Sequence, residues 1–519
     1  MRRFLPLLLV GVLAATAAVA ARTLSTWWWL AAGPLLAAVC LGAWDLLQRR
    51  RSVLRGYPLV GHLLFPTEQV RLRSAGTGAR EPFGGDGSDG SDGGVYEYLV
   101  PSLRPVAPAA EPPLVRVGGP HCTQPYDMAL LNVSAMSFGA LSSRAVLALN
   151  RGAALGRFAH DTGEGGLSEH HLRGGGDLVW EIGTGYFGCR GADGGFDARE
   201  FADKAALPEV KCVSVKLSQG AFAGSGAVLP GVKVSAEIAS ERKVPVGETV
   251  VSPPFHQVFS TPRELVLFLA RLRELAGGKP TGFKLCVGSR REFLAVCRAM
   301  AAEGLTPDFV VVDGAEGGSG AGPAGFAGHL GMPLTQGLIT VHNALVGVGL
   351  RDRIRIGASG RVATGPDIVK RLVQGADYTN AARAMMRAVG CVGARRCHTG
   401  ACPAGVATQD PLRARALDVA DKARQVRRYQ RETVRDAVRI MAAMGVRAPA
   451  ELTPGHLVRR TGPGTTSSYA ELYEWLAPGE LLAGPPRSWE SDWKAADPDS
   501  FDQPAGGPRA TGPARATKA

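Results

Sequence analysis

Short apolar runs alternate with amphipathic stretches from about residue 126 to residue 383. Eight runs that end at glycine or at a polar residue each predict a strand. The predicted strands are 130–137, 157–163, 178–185, 212–218, 282–287, 308–314, 353–359 and 377–383. Two to four apolar residues before a polar tip are typical of parallel strands that are buried on both faces.

Helical patterns lie between several of these strands, at 142–156, 261–277, 289–304 and 364–376. The third of them has its apolar residues on the spacing of one helix face. Eight strands that alternate with helices predict an α/β fold, a (β/α)8 TIM barrel over residues 119–410. A doubly wound open sheet is the alternative that this pattern leaves open.

The N-terminus carries two long apolar runs. Residues 4–21 contain no charge, and residues 27–47 contain only Asp45. Each run is long enough to cross a bilayer of ~30 Å as a helix, so residues 1–50 predict a two-span transmembrane hairpin. Arginines flank both ends, which predicts that both ends and the rest of the chain lie on the cytoplasmic side of the cell membrane. A cleaved signal peptide is the alternative, because AVAAR resembles a small-residue cleavage site.

The rest of the chain divides by composition. Residues 51–118 predict a linker, which includes the polar stretch GGDGSDGSDGG. Residues 411–483 predict a C-terminal helical extension, and residues 484–519, rich in proline, glycine and arginine, predict a disordered tail. The formal charge of +13 is spread along the chain without a basic stripe interleaved with aromatic residues, so we predict no nucleic-acid partner.

The predicted strand tips carry polar side chains and glycines, and 68 of the 519 residues are glycine. In a barrel, the active site gathers at these tips, and the last two commonly bind phosphate through loop amides. The last two tips here are GASGR (357–361) and NAAR (380–383), where Arg361 or Arg383 can add a charged hydrogen bond. We therefore expect a phosphate-bearing cofactor here, the alternative being that the glycines only permit tight turns.

Two lysines, Lys216 and Lys284, each end an apolar strand. A lysine in this place is either an ordinary interface cation or one directed at a reduced cofactor or a carboxylate substrate. Two lysines converging on one barrel mouth favour the second interpretation.

Three cysteines, Cys391, Cys397 and Cys402, lie within twelve residues. Their spacing differs from that of paired zinc ligands, which usually sit two to four residues apart. A cytoplasmic location disfavours disulfides, and three thiolates can hold an iron–sulfur cluster. Iron–sulfur, zinc and structural thiols all stay open on spacing alone.

Eight ordered blocks carry a family resemblance. They are NVSAMSFGALS, HDTGEGG, VKLSQGA, VLPGVKV, VVSPPFH, VDGAEGGSGA, LRDRIRIGASGR and the cysteine block that ends CPAGVATQ. Over about residues 120–445 they resemble the FMN-binding synthase domain of glutamate synthases, most closely the stand-alone, membrane-anchored members of that family.

The resemblance implies a barrel with FMN at its mouth and a 3Fe-4S cluster beside it. Cys391, Cys397 and Cys402 would be the cluster ligands, and Glu164, Lys216 and Lys284 would act on the substrate. The residues that it places at the flavin are Ala135, Met136, Ser137, Gln219, Asp313, Gly317, Gly318, Ser359, Gly360, Arg361, Ala382 and Arg383.

The implied reaction is reductive amination of a 2-oxo acid, 2-oxoglutarate to glutamate, by hydride transfer from FMN. We expect neither a glutaminase domain nor a nicotinamide-binding module in this chain. Ammonia would then come from solution or a partner, and electrons from a separate donor such as ferredoxin or a reductase.

One loop departs from the family pattern. The usual glutamine-glycine-alanine-lysine-proline reads QGAFA here, so Phe222 and Ala223 replace a cation beside the substrate region. Two alternatives therefore stay open: an FMN oxidoreductase that acts on another 2-oxo or 2-hydroxy acid, and a membrane-tethered electron-transfer or redox-sensing module.

Overall fold

The computed structural model describes residues 3–64, 96–220, 224–317, 326, 328–462 and 464–502. Gly318, Phe222 and Ala223, named above, lie outside the described residues.

The N-terminal runs form an antiparallel pair of helices, α1 (Leu5–Thr23) and α2 (Trp29–Leu47), joined by a 3-10 turn at Thr26–Trp28. Both helices are long and apolar enough to cross a membrane by length and composition. Two short helices follow, α3 (Ser52–Gly56) and α4 (Val60–Leu64).

The segment expected to be a linker contains ordered elements. Strand β1 (Glu97–Leu99) later joins a small C-terminal sheet, and β2 (Leu114–Val117) pairs with β3 (Tyr126–Ala129) as a hairpin. Val117 and Met128 of this hairpin pack against the barrel interior. The hairpin therefore closes the end of the barrel that lies away from the strand tips.

Eight parallel strands form a closed barrel, which confirms the predicted fold. They are β4 (Leu131–Val133), β5 (His160–Asp161), β6 (Leu178–Ile182), β7 (Val210–Lys216), β10 (Thr281–Leu285), β11 (Phe309–Asp313), β12 (Arg355–Ser359) and β13 (Tyr378–Ala381). Between β7 and β10, the strands β8 (Val228–Leu229) and β9 (Val250–Val251) form a small antiparallel hairpin outside the barrel. Each barrel strand overlaps a predicted one. Seven of the eight are shorter than predicted, because the predicted tips turn away as loops, whereas β7 has the predicted length and lies two residues earlier.

Helices cover the outside of the barrel. Those between its strands are α5 (Ser143–Gly156), α6 (Glu169–Leu172), α7 (Ala198–Ala205), α8 (Ala236–Arg242), α9 (Pro262–Leu275), α10 (Arg290–Glu303), α11 (Leu334–Gly347) and α12 (Gly365–Val373). Thr261 and Thr364 start α9 and α12 with capping boxes, which satisfy the free amides of the first turn.

The chain after the barrel is helical with one small sheet. Its elements are α13 (Arg383–Ala388), α14 (Pro411–Ala414), α15 (Val419–Ala443), β14 (Leu457–Gly462), β15 (Thr465–Ser468), α16 (Tyr469–Leu472), α17 (Glu480–Ala483) and α18 (Arg487–Ala495). The long helix α15 packs against α5 and α12 of the barrel.

The structure differs from the expected disorder after residue 484. Helix α18 packs on α10 and buries Trp489, and the Arg290 guanidinium lies 4.4 Å from the centre of its ring. Burial of the tryptophan ring stabilises this segment, an effect that the composition alone did not reveal. The described part of the segment reaches residue 502.

Candidate active site at the barrel mouth

Two buried lysines end neighbouring strands at the barrel mouth, and each pairs with a carboxylate. Lys216 Nζ lies 2.6 Å from Glu164 Oε1, and Lys284 Nζ donates to Glu181 Oε2. Lys216 and Lys284 are register partners on β7 and β10, so both ammonium groups reach the same part of the mouth. The two lysines predicted from the sequence do converge.

The carboxylates at this mouth are held in different protonation states. Burial raises the pKa of Glu164, but the charge and hydrogen bond of Lys216 outweigh burial and lower the pKa overall. Burial and the negative charge of Glu181 raise the pKa of Asp161 to about 8. At pH 7 the mouth therefore holds an ionised Glu164 and a protonated Asp161.

A third cation, Arg242, lies beside this group. Its Nη2 donates to the Phe138 carbonyl at 2.9 Å, and its guanidinium lies 4.9 Å from the centre of the Phe187 ring. The positive charge of Arg242 contributes to lowering the pKa of Glu164. Its own pKa is lowered by burial to about 10, which still leaves it charged at neutral pH.

The segment Ala135–Ser137 crosses the rim next to Asp161. The Met136 amide donates to the Asp161 carbonyl at 3.0 Å, and the Met136 carbonyl lies 3.1 Å from His171 Nε2. Met136 is buried, whereas Ala135 and Ser137 are half-buried. The backbone of this segment is thus fixed by hydrogen bonds, while its two small side chains stay partly exposed.

Asp313 anchors the opposite side of the mouth. Its Oδ2 accepts a hydrogen bond from the Gly220 amide at 2.9 Å, and Ser359 also bonds to its carboxylate. A Cβ atom on Gly220 would lie 1.9 Å from the Gly314 carbonyl oxygen, so the two loops meet backbone to backbone and require glycine there. Gln219, half-buried, precedes this contact.

Small residues and two arginines lie at the rim of the mouth, mostly in the loops that follow β12 and β13. Gly317 and Gly360 are half-buried, and Arg361, Ala382 and Arg383 are exposed. Small residues next to two exposed guanidinium groups leave room and charge for a phosphate, with the guanidinium groups as its donors. The residues present therefore fit the phosphate end of FMN.

The three predicted cluster ligands lie in one loop that packs on the barrel. Cys402 is buried, and Cys391 and Cys397 are half-buried in the same apolar cluster. Burial raises the pKa of both Cys391 and Cys397, and the neighbouring thiols raise it further.

Lys233 places a buried positive charge next to this loop. Its Nζ donates to the Ala140 carbonyl at 2.9 Å, its stem packs against Gly400, and the thiols of Cys397 and Cys402 interact with its charge. Three thiols with a buried cation fit an anionic iron–sulfur cluster in their chemistry. In the part of the chain that the structure describes, however, no group of three or more His, Cys, Asp or Glu side chains is close enough to hold a metal ion, so the cluster stays a prediction.

The similarity to known proteins covers the region that has just been described. The family model "Conserved region in glutamate synthase" matches residues 123–447, which contain the whole barrel and the cysteine loop. This chain belongs to the glutamate synthase family. The match confirms the resemblance that the sequence blocks carried, and it makes the protein a glutamate synthase-like enzyme.

Two curated relatives support the family assignment. The glutamate synthase large subunit-like protein YerD of Bacillus subtilis (strain 168) is 41% identical over 354 residues, which are 68% of this chain and 67% of the relative. The archaeal glutamate synthase (NADPH) of Methanocaldococcus jannaschii is 31% identical over 350 residues, 67% of this chain and 65% of the relative. The chain thus matches about two thirds of each relative's length.

Among solved structures, a mutant flavocytochrome b2 with pyruvate bound is similar at a TM-score of 0.40 and 14% identity. The match covers 73% of this chain and 82% of that one.

The sequence places Asp161 and Glu181 at predicted strand tips but assigns them no role, whereas the structure brings both to this glutamate synthase-like mouth. Three further residues at the mouth were not singled out from the sequence. Arg242, His171 and His256 come from loops and short helices outside the barrel strands, where no periodic pattern marks them.

Proposed function

We propose that the protein is a membrane-anchored oxidoreductase that uses FMN and one iron–sulfur cluster to aminate a 2-oxo acid reductively. 2-Oxoglutarate, which would give glutamate, is the first candidate substrate. The observation that carries the proposal is the pair of buried lysine–carboxylate contacts at the barrel mouth of a chain in this family.

The flavin would be held by residues around the whole mouth. Ala135, Met136 and Ser137 would lie along its ring, with Gln219 and Asp313 opposite. Gly317, Gly318, Ser359, Gly360, Arg361, Ala382 and Arg383 would hold the ribityl phosphate. FMN bound there would supply the hydride that reduces the imine.

The protein's own groups would handle charge and protons. Lys216, Lys284 and Arg242 are the cations near the mouth that can orient a carboxylate-bearing substrate. Asp161, whose pKa is raised to about 8, holds a proton at neutral pH inside the barrel. Glu164, kept ionised by Lys216, can orient the amine or ammonium nitrogen as a hydrogen-bond acceptor.

Cys391, Cys397 and Cys402 would hold the cluster, which would supply electrons singly from an external donor such as ferredoxin or a reductase. Ammonia would come from solution or from a partner. The two apolar helices and their arginine flanks support an anchor in the cell membrane, with the barrel on the cytoplasmic side.

The test is anaerobic purification followed by analysis of cofactors and half-reactions. We expect stoichiometric FMN and three to four irons per chain. After reduction with dithionite, ammonium together with 2-oxoglutarate should reoxidise the flavin faster than either alone, measured by stopped-flow absorbance. Stoichiometric zinc without flavin would contradict the proposal, and reoxidation by another 2-oxo acid would reassign the substrate.

A further inference from the structure

The two ends of the helical hairpin α1–α2 dock on the chain that follows the cysteine loop. Arg3, just before α1, pairs with Asp410 through Nη2 and Oδ2 at 2.5 Å. After α2, the Arg50 carbonyl accepts a hydrogen bond from the buried Lys422 Nζ at 2.6 Å. Both ends of an antiparallel pair of spans lie at one membrane surface, so this part of the protein faces that surface.

The cysteine loop itself touches the segment that leaves α2. A Cβ atom on Gly56 would lie 3.7 Å from the carbonyl oxygen of Pro403, the residue after Cys402. Arg413 Nη1 donates to the Tyr57 hydroxyl and to the Ala401 carbonyl, each at 3.0 Å. One guanidinium thus joins the membrane-proximal chain to the residue before Cys402.

A cavity of about 390 Å³ opens beside this contact. Thr399, Gly400 and Ala401, which lie between Cys397 and Cys402, form part of its wall, and Val232, Gln409 and Arg413 form other parts. Val234, Ser235 and Asp410, which pairs with Arg413 at 3.2 Å, complete the wall. The wall therefore combines a few apolar side chains with hydrogen-bonding and charged groups. A concave site of this size suits one small ring-bearing molecule, whereas a protein partner requires a far larger surface.

We propose that this cavity binds the head group of a membrane quinone and that the quinone–hydroquinone couple exchanges electrons with the iron–sulfur cluster that Cys391, Cys397 and Cys402 would hold. The inference rests on the proposed function, and it names the electron partner of that site. Two observations carry it: the cavity wall lies between two of the predicted ligands, and the cavity is next to the membrane-proximal chain, where a lipid-soluble carrier would reach it.

The exchange balances without a further reactant. In the direction of the proposed function, a hydroquinone becomes a quinone by losing two electrons and two protons. FMN held at the barrel mouth would gain both electrons, passed one at a time by the cluster that the cysteine loop would hold, together with two protons. The reverse exchange oxidises the flavin and forms the hydroquinone.

Binding is tested on the full chain in phospholipid vesicles with a short-tailed azido-naphthoquinone as a photolabel. We expect label in peptides that cover 230–235 or 399–413, competed by the unlabelled quinone. Val232→Trp, which fills the rim of the cavity, should lower this labelling at least tenfold. Val246→Trp is the matched control, because Val246 is an exposed valine outside the cavity wall, and it should leave labelling unchanged.

Electron exchange is tested by mixing the dithionite-reduced protein anaerobically with the same quinone lacking the azide. Rapid flavin reoxidation in the wild type and Val246→Trp, slowed at least tenfold in Val232→Trp, is the expected result. Label that falls elsewhere, or rates that are equal in both variants, overturns the inference. Reoxidation by ammonium and 2-oxo acid without quinone tests the proposed function separately, so the two can fail independently.

Discussion

Lys216 and Glu164 show how one buried contact sets the chemistry of the mouth. Both side chains are largely removed from water, and their atoms lie 2.6 Å apart. A buried charge without its partner is costly, so removing either side chain of this pair should destabilise the fold.

Substitutions at Lys216 can distinguish a contribution to folding stability from a contribution to turnover. Lys216→Met leaves the Glu164 carboxylate buried and unpaired, so we expect a loss of about 3–5 kcal/mol in unfolding free energy and at least a hundredfold loss in turnover. The double variant Lys216→Met with Glu164→Gln removes both charges. It should recover most of the stability, measured by urea unfolding, and remain inactive. Recovery of turnover in the double variant would show that the pair is structural.

Asp161 offers a pH test at the same scale. Its raised pKa, about 8, means that the group is protonated at neutral pH and loses its proton as the pH rises through that value. If it supplies a proton, turnover should fall above pH 8, and Asp161→Asn should be inactive at every pH. A pH profile that stays flat from 7 to 9.5, or an active Asp161→Asn variant, would remove Asp161 from the mechanism.

Among the secondary-structure elements, helix α18 shows how a segment rich in proline, glycine and arginine becomes ordered. Trp489 is buried, its Nε1 donates to Glu474 Oε2 at 3.0 Å, and Arg290 pairs with Asp492 of the same helix. One aromatic anchor and one ion pair attach nine helical residues to the barrel.

Truncating that anchor should release the helix. Trp489→Ala removes a buried aromatic side chain, which typically costs about 3–5 kcal/mol locally. We expect faster proteolytic cleavage between residues 484 and 502, with the barrel still folded by circular dichroism. Lys494→Ala, an exposed change on the same helix, is the control and should cleave at the wild-type rate. Equal cleavage of both variants would mean that Trp489 does not hold the helix.

Three buried histidines and the half-buried His342 contribute to the pH dependence of stability across the whole molecule. Burial lowers the pKa of His171, His256 and His342 to about 4 and lowers that of His160 further. Unfolded histidine binds a proton near pH ~6.5, so the unfolded state holds more protons than the folded state below that pH. The free energy of unfolding therefore falls as the pH drops from about 6.5 to about 4.

The change of the unfolding free energy with pH is large enough to measure. Each histidine contributes up to about 1.4 kcal/mol per pH unit within the window. His342→Gln should reduce the slope of the urea-unfolding free energy between pH 6.5 and 4 by one such contribution. His121→Gln, at an exposed site, is the control and should leave it unchanged. An identical slope in His342→Gln would contradict the assignment.

The N-terminal hairpin leads to a prediction about the location of the whole molecule. Two apolar helices of sufficient length predict that the full chain stays in membranes after a carbonate wash and that its intact mass retains the first 21 residues. A product that begins near Arg22 and leaves the membrane on washing would instead identify the first helix as a cleaved signal.

The sequence by itself determined the barrel strands, several of the longer helices and the polar character of the tips. Hydrophobic periodicity and turn chemistry act over a few residues, so strands such as Phe309–Asp313 can be recognised without knowing their neighbours. The three cysteines and the glycine-rich tips were visible for the same reason.

Only the tertiary structure decided which groups meet. Lys216 finds Glu164 across 52 positions, and Arg3 finds Asp410 across 407. The raised pKa of Asp161 depends on burial and on Glu181, which closure of the barrel brings near. Contact, burial and the electrostatic field are properties of the folded chain, and no local pattern encodes them because they depend on residues far apart in the sequence.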